Sequence, residues 1–181
     1  MLYRAIITIL STITVLLAIS AAPSAQAEEI GFTKTTIDFG VVVSDLEKSL
    51  KFYTEVVGFK RAGNFTVQPD TVNDAGLTMI SKPLTIEELT LGDDETATKL
   101  KLMQIPDPKQ KKPANEYIHS SLGMSYMTVF VTDTKAALAR AAKHNVKPLK
   151  KGPIAIGGGM VFLTLLKDPD GNFIELVGPS K

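Results

Sequence analysis

The chain has 181 residues, with 20 Lys and Arg against 19 Asp and Glu, and it contains no cysteine. The missing cysteine excludes disulfides, thiolate nucleophiles and cysteine-based metal sites. The near-neutral charge leaves no basic stripe of the kind that nucleic acid requires, so no nucleic-acid partner is expected.

The N-terminal segment has the pattern of an export signal. Arg4 supplies a positive start, and Ala5 to Ala22 is an 18-residue run without charge. Pro23 breaks that run, and Ala25-Gln26-Ala27 offers the small-x-small pattern of a cleavage site. This predicts a signal over 1–27 and an exported chain, periplasmic or extracellular, with no membrane partner after cleavage. A retained anchor is the alternative, since 18 apolar residues sit at the lower limit for spanning a bilayer. Removing 27 residues from 181 leaves 154, the size of one ordinary domain.

Two stretches of the mature part share one pattern. Thr35 to Val43 is β-branched and apolar, as a strand requires, and Ser44-Asp45-Leu46-Glu47 reads as a capping box opening a helix. Leu46, Leu50, Tyr53 and Val57 fall on one helical face, and Gly58 closes it. The pattern returns 88 residues later. Tyr126 to Val131 is strand-like, Thr132-Asp133 caps a helix faced by Leu138, Ala141 and Ala142, and Asn145 takes the closing place.

Strand-like segments follow each helix. In the first copy they are Phe59 to Val67, Leu84 to Leu91 and Thr98 to Gln104, with Pro69 to Ile80 as a loop carrying a short helical turn. In the second they are Val146 to Lys150, Met160 to Leu166 and Phe173 to Val177, the last two joined by the turn Asp168-Pro169-Asp170-Gly171-Asn172. Gly157-Gly158-Gly159 reads as a strand entry or bulge, because no helix follows it to make a phosphate cradle. The segment 105–121, rich in Pro and Lys, reads as a solvated linker.

The expected fold class is therefore α+β, with two βαβββ modules forming one cupped mixed sheet in a single domain, 35–104 and 122–179. Each helix covers one face of its sheet, and the two bare faces make a cup. Strand alternation assigns Ile37, Phe39, Val41 and Val43 to the helix side and Asp38, Gly40 and Val42 to the cup. Leu100 and Leu102 go to the core, leaving Lys99, Lys101 and Met103 for the cup. Tyr126, Thr128, Phe130, Phe173, Glu175 and Val177 face it from the second copy.

The segments VVVSDLEKSLKFYTEVVGF (41–59) and LLKDPDGNFIELVGP (165–179) resemble the signature stretches of the vicinal oxygen chelate superfamily. That superfamily includes glyoxalase I, extradiol dioxygenases and bleomycin-resistance proteins. The resemblance covers about 35 to 179 and implies the paired βαβββ cup. In metal-using members it implies four ligands, one seven residues before the helix-opening Asp of each copy and one on each copy's last strand. Those positions carry Asp38, Tyr126, Lys101 and Glu175 here. Only Glu175 keeps the usual ligand type.

A lysine cannot ligate in its charged form. Like unit charges about 4 Å apart at an effective dielectric near 20 repel by roughly 4 kcal/mol, and a dication faces about twice that. The expectation is that the Lys101 ammonium stands in for a metal, bridging Asp38 and Glu175 with the Tyr126 hydroxyl nearby. The alternative is that Lys101 reaches out to the rim. His144 suits the C-terminal dipole of its helix. His119 lies in the linker, either on the surface or folded over the cup as a substitute ligand or base.

No cofactor is expected, and a divalent metal is disfavoured. The first functional expectation is metal-free binding of a small organic ligand by Asp38, Val42, Lys101, Met103, Tyr126, Phe130, Phe173 and Glu175. The second is a glyoxalase- or dioxygenase-type enzyme with a non-standard ligand set, in which Glu175 moves a proton and Tyr126 assists. A third is an envelope module whose cup is filled by its own side chains. The sequence leaves open whether the modules pair within one chain or are exchanged between the chains of a homodimer.

Overall fold

The computed structural model describes residues 31–105 and 109–181, and within it Lys34–Lys181 forms one compact unit. The expected signal over 1–27, and with it the question of cleavage, lies outside the described residues, as does the 106–108 part of the linker.

The first module runs β1 (Phe39–Val42), α1 (Leu46–Lys51) continuing as a π-helical stretch over Phe52–Val57, β2 (Lys60–Val67), α2 (Pro69–Asp74), β3 (Leu84–Thr90) and β4 (Lys99–Met103). The second runs β5 (Tyr126–Phe130), α3 (Thr134–Lys143), β6 (Ile154–Ile156), β7 (Val161–Lys167) and β8 (Phe173–Gly178). The strands form two four-stranded mixed sheets of matching order, β1-β4-β3-β2 and β5-β8-β7-β6. In each, the strand before the helix pairs in parallel with the module's last strand. The repeat read from sequence is thus present as two βαβββ modules.

Helices α1 and α3 lie over one shared core. Leu89, Leu100 and Leu102 of the first sheet and Val129, Leu166, Ile174 and Leu176 of the second join Leu50, Phe52, Tyr53, Val56 and Ala141 in it. Each large side chain buried there contributes about 1.5–3 kcal/mol before the entropy of ordering is subtracted. The wider π turn puts four residues of Phe52–Val57 inside, Phe52, Tyr53, Val56 and Val57. Gly58 then turns left-handed at φ 106°. Arg140 of α3 donates from Nε to the Val56 carbonyl at 2.8 Å and from Nη2 to the Val57 carbonyl at 3.1 Å, satisfying acceptors that the helix end leaves free.

Four local expectations change. Asp45, not Ser44, caps α1 by accepting from Lys48 N, because the Ser44 hydroxyl donates instead to Asp170 of the other module at 2.5 Å. Ile37 lies outside β1 and is 68% exposed, since the strand starts only at Phe39. In α3 the buried residues are Thr134, Ala137 and Ala141, with Leu138 packed at the flank and Ala142 exposed. The segment 146–150 makes one bond to the sheet, Leu149 N to the Leu165 carbonyl, and the edge strand is β6. Pro148 lies within that stretch and Pro153 just beyond it, and neither carries an N–H for a ladder.

Candidate functional site

The register makes the repeat quantitative. Gly40 of β1 stands opposite Lys101 of β4, and Thr128 of β5 stands opposite Glu175 of β8. Gly40 and Thr128 are 88 residues apart, as are the helix caps Asp45 and Asp133. Lys101 and Glu175 therefore occupy equivalent places on the two sheets, and Asp38 and Tyr126 share the same spacing, although Asp38 stands one residue before β1 and Tyr126 is the first residue of β5.

In the first module these places hold a charged cluster. Lys101 Nζ lies 3.3 Å from Asp38 Oδ2, and Lys34 Nζ lies 2.7 Å from Asp38 Oδ1. The Lys99 backbone N–H donates to the same Oδ1 at 3.4 Å. The Lys34 hydrogen bond is the largest influence holding the Asp38 carboxyl down, at about 2; partial burial opposes it, and the bonds from Lys101 and Lys99 add to it. Beside this, Lys99 Nζ approaches Glu88 Oε2 at 3.4 Å. Lys34 had no assigned role in the sequence, because it precedes the strand and only the chain's course toward Asp38 reveals it.

Glu175 is engaged differently. The Thr128 hydroxyl, directly opposite in register, donates to Glu175 Oε2 at 2.5 Å. Among the described residues no ion pair joins Glu175 to Lys101, so the expected bridge exists on its Asp38 side only. The reason is local: Lys101 has a carboxylate within its own module, and Glu175 has a hydroxyl within its own.

The remaining expected residues lie along the cup face. Met103 folds over Gly40, its Cε 3.1 Å from where a Cβ would stand. Val42 is partly exposed, Phe130 is 78% exposed, and Phe173 is buried beneath Lys167, whose Nζ sits 5.0 Å from the ring centroid. Gly40, Val42, Tyr126 and Phe173 share a cavity of about 330 Å³ where the two modules meet, roofed by Ile118, Leu122 and Met124. A second cavity of about 520 Å³ lies over β7 and β8, with Leu163, Leu165 and Phe173 among its lining and Tyr117 and His119 at its edge. A larger one of about 740 Å³, around 79–85, contains none of the repeat-related residues.

The described part of the linker from residue 109 on is a strap held against the second module. Asn115 Nδ2 donates to the Gly171 carbonyl at 3.1 Å, Lys167 donates to the Asn115 carbonyl, and Lys112 pairs with Asp170 at 3.5 Å. His119 is solvent-exposed yet borders the second cavity, stacked on Tyr117 with ring centroids 5.4 Å apart and planes 3° from parallel. His144 has the structural place expected of it, at the end of α3 with Nδ1 3.0 Å from Glu55 Oε2.

A divalent metal does not fit the full set of four family positions. A ligand must offer a lone pair, and the Lys101 ammonium offers none while it pairs with Asp38, which would otherwise be a second ligand.

Comparison with known proteins bears on the fold and the family. The profile of the Glyoxalase/Bleomycin resistance protein/Dioxygenase superfamily matches residues 35–176. A lactoylglutathione lyase from Pseudomonas putida is 30% identical over 149 residues, 76% of this chain and 81% of that protein. A glyoxalase-family protein from Bacillus cereus aligns with a TM-score of 0.68 at 16% identity, covering 86% of this chain and all of that one. Glyoxalase I from Zea mays aligns with a TM-score of 0.60 at 19% identity, over 81% of this chain and 45% of the maize chain. At such identities the two structures speak for the fold alone.

Proposed function

The chain belongs to the Glyoxalase/Bleomycin resistance protein/Dioxygenase superfamily, and we propose that it binds a small organic ligand in its cup without a metal. One observation carries this reading: Lys101 stands in a family ligand position and is ion-paired to Asp38, the residue in another. The cup face supports it with apolar side chains beside a few polar groups, the usual make-up of a small-molecule site. We further propose that the mature chain acts outside the cytoplasm, on the strength of the apolar run and the Ala25-Gln26-Ala27 pattern.

The test is a thermal-shift and calorimetric screen of the mature protein against small organic molecules, with and without EDTA. Saturable binding that EDTA leaves unchanged supports the reading. Binding that appears only with an added divalent metal overturns it.

A second reading, lactoylglutathione lyase activity, is favoured by the 30% identical relative of that name. Glu175 would then be the carboxylate that moves a proton, with Tyr126 on the strand beside it. Loss of the glutathione–methylglyoxal adduct on adding nickel or zinc, abolished by Glu175→Ala, would establish it.

A further inference from the structure

We propose that the trough between the strap and the face of β7 and β8 takes a flat aromatic carboxylate. This deepens the reading of the cup as a metal-free binding site and rests on it. The trough lies in the second module and includes neither Lys101 nor Asp38 among its lining.

Its floor is apolar. Leu163 and Leu165 of β7 and Phe173 of β8 supply it, and Ile154, directly opposite Leu163 in register, closes one side. At about 520 Å³ the space matches sites that take small organic molecules. The edge is built from two rings already parallel, Tyr117 and His119. Short contacts within the strap hold them: Tyr117 N donates to Ser120 Oγ at 2.9 Å, and Ser120 N to the Tyr117 carbonyl at 3.0 Å. A ligand ring that extends this stack gains contact without ordering the strap anew.

Charge selects the rest of the ligand. Lys150, Lys151 and Lys167 line the trough against a single carboxylate, Glu116. Lys167 is engaged by the Asn115 carbonyl and the Phe173 ring. Among the described residues Lys150 and Lys151 have no carboxylate partner, which leaves two ammonium groups for an anion at the mouth. An apolar floor beneath a cationic mouth suits one carboxylate on a ring system. It does not suit a polyphosphate or a sugar, whose polar groups the floor would strip of water.

The experiment titrates the mature protein with 2-naphthoate by fluorescence, alongside neutral 2-naphthalenemethanol, cationic 2-naphthylmethylammonium and aliphatic decanoate. Naphthoate is expected to bind at least about tenfold more tightly than each of the other three. Tyr117→Ala and the double change Lys150→Ala/Lys151→Ala are each expected to weaken it about fivefold, while Tyr117→Phe keeps the ring and the affinity. Circular dichroism checks that each variant is folded. Naphthoate binding that ignores these substitutions overturns the trough while leaving the cup reading standing. So does binding of other organic molecules with naphthoate excluded, or decanoate binding as tightly as naphthoate. Failure of every organic molecule to bind in the absence of metal overturns both.

Discussion

Lys101 Nζ lies 3.3 Å from Asp38 Oδ2, so a side chain at one repeat-related position neutralises a side chain at another. The carboxylate also holds Lys34 at 2.7 Å, which makes Asp38 the hub of the first module's cup face.

The acid limb of stability should report that hub. The Asp38 carboxyl falls from its ordinary 3.8 to about 2, chiefly through the Lys34 hydrogen bond. A depressed carboxyl adds stability that is complete above the unfolded value and is lost as pH drops through the folded one. Asp38→Asn should therefore flatten the part of the stability–pH curve between about 4 and about 2. Lys101→Met should move the Asp38 carboxyl upward, yet keep it below 3.8, because Lys34 remains. Urea unfolding at stepped pH and carboxyl-carbon NMR titration measure the two effects.

The clasp between modules gives a second expectation. The Tyr53 hydroxyl donates to Asp168 Oδ2 at 2.8 Å inside the core, and burial, then the Asp168 charge, push this phenol well above its ordinary 10.0. Asp168 keeps three other donors, from Asp170 N, Asn172 N and Asn172 Nδ2. Tyr53→Phe should thus cost only about 1–2 kcal/mol in chemical denaturation. In ultraviolet titration to pH about 11, the variant should show the same phenolate amplitude as the parent. Because the folded value is raised, this contribution is intact below 10.0 and fades as pH climbs past it.

Gly178 ends β8 where a Cβ would run into the Val131 carbonyl. Val131 N donates to the neighbouring Val177 carbonyl at 2.8 Å, so the backbone there has little room to yield. Gly178→Ala should destabilise the protein by about 1–3 kcal/mol, read as a lower urea midpoint at unchanged slope. Gly40→Ala meets only the flexible end of Met103 and should cost less.

The features legible from sequence were those carried by local periodicity. Alternation placed Leu100 and Leu102 in the core, and Gly58 and Asn145 ended their helices with left-handed backbone, at φ 106° and 60°. Local pattern failed where the other module intervenes. Ser44 looked like a cap and instead reaches Asp170, 126 positions away. The Tyr53–Asp168 bond and the Arg140 contacts carry no local signature at all. At the candidate site, counting from the helix caps found Asp38, Lys101, Tyr126 and Glu175. It could not show that Glu175 turns to Thr128, nor that the strap lays Tyr117 and His119 beside the cup. Those depend on sheet register and on where a proline-rich segment comes to rest.

On the reading proposed above, Lys101 takes the place of metal chemistry at this site. That replacement is tested most directly by calorimetric titration of EDTA-treated protein spanning 28–181 with zinc, nickel and manganese, with metal content measured after dialysis. No stoichiometric uptake of any of the three is expected. One equivalent of tightly held metal, lost in Glu175→Ala, would contradict it.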